Sequence, residues 1–203
     1  MMNRRIPLTA GLCLAATGFS STANAQAAFA GVKFDAEATV AGQKLQLNGA
    51  GVRFRAIFKV YAAALYTPAK ITTNEAAIRI SGPRRLHMIA LRNVKGDDFG
   101  KLFTNSMEAN ASREEFAKSI SNVVRMGQIF ADARNFNEKD VILVDYVPGT
   151  GTVVSHKGKQ MGEPFKEPEF NSLMMKIWFG PKPADEPLRV ALLGGQSTAN
   201  TNL

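Results

Sequence analysis

The sequence predicts an α+β protein, and three observations carry that expectation. Apolar and polar residues alternate with a period of two through residues 52–61 and again through residues 84–93. A helical period takes over from Asp97, and a second round of strands and helices closes the chain. Strands grouped together and helices grouped together are the α+β pattern, whereas strict strand–helix alternation would point to a parallel sheet. No Gly/Ser/Pro-rich linker or internal repeat divides the chain, so residues 26–203 are expected to form a single domain.

Residues 1–25 read as a signal peptide. Arg4 and Arg5 supply the positive start, Ile6 to Phe19 the apolar stretch, and Ala23-Asn24-Ala25 the small-x-small cleavage site. Cleavage after Ala25 leaves Gln26 as the first residue. The single cysteine, Cys13, lies inside the leader, and Leu12 before it does not fit lipoprotein processing. The processed chain is therefore expected to be cysteine-free, to keep no integral membrane segment, and to be periplasmic or secreted. Loss of Arg4 and Arg5 takes the formal charge from +8 to +6. The remaining cations are scattered, with Arg84-Arg85 the only tight pair, and export argues against a nucleic-acid partner. The charge suits solubility and attraction of an anionic ligand.

The first strands are expected at Ala36–Val40 and Lys44–Leu47, a hairpin around Ala41-Gly42-Gln43. Residues Leu47 to Pro68 read as a sharp turn at Gly49 and Gly51 running into one long strand. On such a strand Arg53, Arg55, Ile57, Lys59 and Tyr61 share one face, and Val52, Phe54, Ala56, Phe58 and Val60 the other. The charged face has two readings: the wet side of an antiparallel sheet, or the wall of a pocket for an anionic, largely apolar ligand. Arginine suits the second because its planar fork holds a carboxylate with two hydrogen bonds.

Ala76–Ile80 and Arg84–Asn93 read as two more strands around Gly82-Pro83, followed by a helix from Asp97 to Asn110. Ser112 with Glu115 forms a capping box, and Phe116, Ile120, Val123, Gly127 and Phe130 make one apolar stripe behind it. Val141–Val147 is a strand, and Thr152–Ser155 with Lys159–Met161 a hairpin around Lys157-Gly158. Pro168–Phe179 is an amphipathic helix stopped by Gly180 and Pro181; Asp185 caps a last short helix through Leu193. Met174 and Trp178 on that amphipathic helix are either ordinary core or the apolar lining of a ligand cavity.

Residues 47–68 resemble the chalcone isomerase family, closest to its bacterial chalcone isomerase-like branch. Gly49, Gly51 and Arg53 match a G-x-G-x-R turn, and Lys59, Val60, Tyr61, Leu65 and Tyr66 match K-V-Y-x-x-x-L-Y. Similar signals recur at Asn110-Ala111-Ser112, Asp145 to Thr152, Ile177 to Gly180 and Ala191 to Gly194, so the resemblance spans nearly all of residues 29–194. It implies an open-faced antiparallel sheet with helices layered on one side and a ligand cleft between them. It also implies catalytic roles for Arg53 and Tyr61, the latter standing where the family has a threonine. The family's other polar groups fall near Asn93, Gly100 and Ile177, which do not preserve that chemistry.

Two functions follow. One is a non-catalytic exported protein that binds an apolar carboxylated ligand, such as a fatty acid, through Arg53, Tyr61, Met174 and Trp178. The other is an isomerase or intramolecular lyase acting on a phenolic or enone substrate. No cofactor is expected, because Gly149-Thr150-Gly151-Thr152 is neither a phosphate-binding loop nor a dinucleotide fingerprint. No metal is expected either, since His87 and His156 stand apart without ligand spacing.

Overall fold

Short turns between neighbouring apolar segments favour pairing of each strand with the next, and antiparallel hairpins follow. The computed structural model describes residues 27–79 and 81–196. The expected signal peptide and the chain after residue 196 lie outside the described residues, as does Ile80.

A small hairpin of β1 (Ala27–Phe29) and β2 (Val32–Phe34) comes first. β3 (Glu37–Val40) turns through Ala41 and Gly42, both at positive φ, into β4 (Gln43–Arg55) and β5 (Phe58–Thr67). The chain continues through α1 (Asn74–Arg79), β6 (Arg84–Ala90), β7 (Val94–Lys95), α2 (Gly96–Asn110) and α3 (Arg113–Asp132). It closes with β8 (Asn135–Phe136), β9 (Val141–Val147), β10 (Gly151–His156), β11 (Lys159–Gln160), α4 (Pro168–Phe179) and α5 (Glu186–Leu192). Seven strands form one antiparallel sheet in the order β11-β10-β9-β6-β5-β4-β3, and β7 pairs separately with β8.

The helices cover one face of this open sheet. Tyr61, Ala63 and Leu65 of β5, Leu86 and Met88 of β6, and Ile142 and Val144 of β9 pack into a core with α2, α3, α4 and α5. Phe99, Phe103, Phe130 and Phe136 interlock there, with ring centroids 4.8 Å to 5.8 Å apart. Each such ring contributes about 1.5–3 kcal/mol by burial. Gly100 and Gly127 let α2 and α3 approach, because a Cβ on Gly100 would lie 2.7 Å from the Gly127 carbonyl oxygen. The opposite sheet face carries a smaller cluster, with Ala62, Ala64 and Tyr66 under Phe34 of β2.

Several sequence expectations change. The expected single strand after Leu47 is two strands, because the chain reverses at Ala56-Ile57 with Arg55 opposite Phe58. Ala56 takes a φ of 52° there without the Gly or Asn that normally announces such a turn. Gly49 and Gly51 make no sharp turn; both lie within β4. Gly49 instead permits close backbone contact, since a Cβ would meet the Ala191 carbonyl oxygen at 2.0 Å. Of the strand expected at Ala76–Ile80, residues 76–79 lie instead in helix α1. The Thr73 hydroxyl accepts from the Ala76 amide and its carbonyl from the Ala77 amide, which starts a helical turn. The Ser112–Glu115 capping box forms as expected, but Ile120 is 45% exposed, and Met126 and Ile129 complete the buried stripe.

Candidate functional site

Two bulges in the β4–β5 pair set the geometry. Between the pairs Leu47–Tyr66 and Gly49–Leu65, Asn48 is an extra residue on β4. Its side chain donates to the carbonyls of Ile71 (3.0 Å) and Leu192 (2.7 Å) and accepts from the Ile71 amide, binding the strand to the end of α5. Between the pairs Arg53–Tyr61 and Phe54–Lys59, Val60 is the extra residue on β5. The bulge turns Val60 and Tyr61 together into the helix-side core. It also frees the Phe54 amide, which donates to Asp185 Oδ2 at 2.8 Å, while Asp185 Oδ1 caps α5 through Leu188. One carboxylate thus ties α5 to the strand residue next to Arg53.

Arg53 and Tyr61 lie opposite each other on paired strands, the guanidinium carbon 5.6 Å from the Tyr61 ring centroid. Arg53 is only 9% exposed, and its Nε is buried without a hydrogen-bond partner. The hydroxyl of Tyr61 accepts from Trp178 Nε1 at 2.9 Å in the buried core. Burial pushes the Tyr61 phenol above its ordinary range, outweighing the Arg53 charge and the Trp178 N–H, which act the other way; Asp185 adds to the rise. Tyr61 therefore stays a neutral phenol at physiological pH.

Arg53 lines two spaces. The outer one is an open cleft of about 750 Å³ between the β4–β5 tip, residues 92–95 and α2. Arg53, Arg55, Arg92, Lys95 and Lys101 line it against a single carboxylate, Asp98. Among the described residues, none of those five cations makes a salt bridge. Phe58, Val60, Val94 and Leu102 give it an apolar side. The inner space, about 10 Å³, is bounded by Tyr61, Phe99, Phe103, Ser106 and Ile177. Arg53 and Leu102 belong to both, so the guanidinium stands at the neck between a wet cationic cleft and the core.

The structure brings Arg53 and Tyr61 together and joins Trp178 to them through the Tyr61 hydroxyl. Met174 and Trp178 are core residues that line neither space. Of the positions aligned with the family's other polar groups, Asn93 lines the cleft, Gly100 is pressed against α3, and Ile177 bounds the inner space. Sequence reasoning missed Arg92, Lys95 and Lys101 because they reach the cleft from different elements. A trace of the signal existed in α2, where Asp98, Lys101, Leu102 and Asn105 share one helical face.

The Arg84-Arg85 pair splits across the sheet. Arg85 makes a bidentate bond to Asp145, both distances 2.7 Å. Arg84 is 3% exposed and bonds Asn171 Oδ1 and the Ala77 carbonyl, with no carboxylate partner among the described residues. Burial pushes its guanidinium down to about 10. Asn171 in turn donates to Thr152 Oγ1 at 2.9 Å, so this arginine is a fully engaged core group joining α4 to the sheet. Among the described residues no group of three or more His, Cys, Asp or Glu is placed to hold a metal, and no helix is long and apolar enough to cross a membrane.

An open antiparallel sheet backed on one side by helices, with an arginine at the edge of its core, defines the class of fold. The chain belongs to the chalcone isomerase-like family, whose model matches residues 26–194. Among solved structures, a fatty-acid binding protein of Arabidopsis thaliana shares the fold with a TM-score of 0.58. The match covers 80% of this chain and 92% of that one at 14% identity. No curated protein sequence matches the chain.

Proposed function

We propose that this protein binds, without transforming, an amphiphilic acid such as a fatty acid, with the acid group at Arg53 and the apolar body along the outer cleft. The observation that carries the reading is Arg53 itself: a residue nine-tenths buried, with an unpartnered Nε, at the neck of the cleft. Removing such a donor from water without a partner is costly, and an incoming carboxylate supplies the missing acceptor. The cleft volume of about 750 Å³ falls in the range of small-molecule sites. The inner space is too small for an acyl chain, so the tail lies against Phe58, Val60 and Leu102. The fatty-acid binding activity of the Arabidopsis protein with the same fold supports this ligand class.

Tyr61 and Trp178 hold the site from behind: the buried hydroxyl–indole bond fixes the ring on which Arg53 rests. Export completes the proposal, with processing after Ala25, and amino-terminal sequencing of the periplasmic protein should begin at Gln26. Native mass spectrometry tests the binding function. The expected result is an acyl-chain mass on the purified protein, or a one-to-one adduct after incubation with palmitate. Bare protein alone, even with excess palmitate, would contradict it.

The Arg53–Tyr61 pairing supports a second reading, an isomerase or intramolecular lyase for a phenolic or enone substrate. Arginine and a neutral phenol can stabilise a developing oxyanion. Conversion of a chalcone to a flavanone well above the uncatalysed rate would establish that reading in place of the first.

A further inference from the structure

The β4–β5 hairpin ends in a feature that folding does not explain. Residues 55–59, Arg-Ala-Ile-Phe-Lys, are all exposed, with Ile57 at 84% and Phe58 at 54%. Ala56 holds a left-handed φ of 52°, where a residue with a Cβ is disfavoured. A turn selected for stability alone would carry a polar residue in place of Ile57.

Cations surround this apolar tip. Arg55 and Lys59 flank it in sequence, and the Arg92 guanidinium lies 4.9 Å from the Phe58 ring centroid. Lys95 and Lys101 continue the basic surface along the cleft, with Asp98 the only carboxylate in its lining. None of Arg55, Lys59, Arg92, Lys95 and Lys101 is in a salt bridge among the described residues. An apolar tip within a collar of cations that make no salt bridge is complementary to a lipid surface of negative charge. The side chains enter the interface while the collar meets phosphate head groups.

We propose that the β4–β5 tip docks this protein on an anionic phospholipid bilayer, Ile57 and Phe58 entering the interface and Arg55, Lys59 and Arg92 contacting the head groups. Phe58 and Arg55 also line the mouth of the cleft, so docking sets that mouth against the membrane. The observations behind the docking are independent of whether Arg53 holds a carboxylate.

Co-sedimentation of the purified protein with two kinds of vesicle tests this, one of phosphatidylcholine alone and one of phosphatidylcholine mixed with phosphatidylglycerol. The expected result is binding to the mixed vesicles, weakened by salt, and little binding to phosphatidylcholine. Ile57→Asp should lower binding at least about tenfold, and Lys59→Ala about fivefold. Ile57 is 84% exposed, so neither its loss nor its replacement removes core packing, and circular dichroism verifies the fold. Ile57→Trp should show blue-shifted emission on adding mixed vesicles, over a constant background from Trp178, which is 1% exposed. Arg53→Ala should bind vesicles like the wild type, separating this surface from the ligand site. Equal binding to both vesicle types, no binding, or unchanged binding by Ile57→Asp would overturn the proposal. So would self-association in the absence of lipid that Ile57→Asp abolishes, which would assign the tip to a second copy of the chain.

Discussion

Replacing Arg53 should separate affinity from stability, because the same feature that suits it for a ligand makes it a burden in the empty fold. In the ligand-free protein Arg53 is 9% exposed with an unpartnered Nε, and its visible compensation is the Tyr61 ring at 5.6 Å. A cation–π contact of that kind contributes about 0.5–2 kcal/mol, which offsets only part of the several kcal/mol that burying an ion costs. Arg53→Met should therefore leave the thermal midpoint unchanged or raise it. With a carboxylate bound, a charge-assisted hydrogen bond contributes about 1.5–3 kcal/mol, so the same change should weaken binding by about one to two decades. Arg53→Lys should fall between, keeping the charge and losing the planar fork. Titration calorimetry with a long-chain fatty acid reads the affinity, and scanning calorimetry the stability. Arg55→Ala and Lys59→Ala are controls on the exposed tip, where small effects are expected. Equal small losses at all three positions would refute the argument, and so would a large fall in stability for Arg53→Met.

Four further outcomes follow from particular contacts. Chalcone-to-flavanone turnover should stay near the uncatalysed rate, because each strong oxyanion contact is worth about two to three decades and the positions at Gly100 and Ile177 supply none. Gly49→Ala should destabilise by about 3 kcal/mol or more, since the added Cβ meets the Ala191 carbonyl oxygen at 2.0 Å; denaturant unfolding measures it. Asn171→Ala should cost about 3 kcal/mol by leaving buried Arg84 under-bonded, whereas Asn171→Asp should recover much of that by supplying a countercharge. His87 makes stability depend on pH. Burial, then Arg85, push its imidazole down to about 4 against the opposing charges of Asp145 and Asp35. Its stabilising contribution is complete above the unfolded value of about 6.5. As pH falls from there towards about 4 the unfolded chain takes up a proton that the fold refuses, and about 3 kcal/mol is lost. His87→Leu should flatten the unfolding free energy across that window.

The parts of the fold legible in the sequence are those written in local chemistry. The Ser112–Glu115 capping box, the Ala41-Gly42 turn and the Asp185 cap each satisfy backbone groups within four residues, and each forms as read. The β4–β5 turn was hidden because Ala56-Ile57 has no turn residue and β-formers run on both sides of it. Helix α1 was hidden because Ala76 and Ala77 suit either period, and the Thr73 hydroxyl decided the matter. At the candidate site, Arg53 and Tyr61 were visible through the family motif, although their pairing depends on the bulge at Val60, which alternation cannot reveal. The cationic cleft drew on Arg92, Lys95 and Lys101, residues that only tertiary structure brings beside Arg53. The Arg84-Arg85 pair, alike in sequence, is divided by the strand's two faces into a core group and a part-buried ion pair.

A crystal structure of the protein with a bound long-chain fatty acid tests directly whether Arg53 holds the acid group. The carboxylate is expected within about 3 Å of an Arg53 guanidinium nitrogen, and the chain laid along Phe58, Val60 and Leu102. A fatty acid with its carboxylate elsewhere and Arg53 untouched would contradict that role.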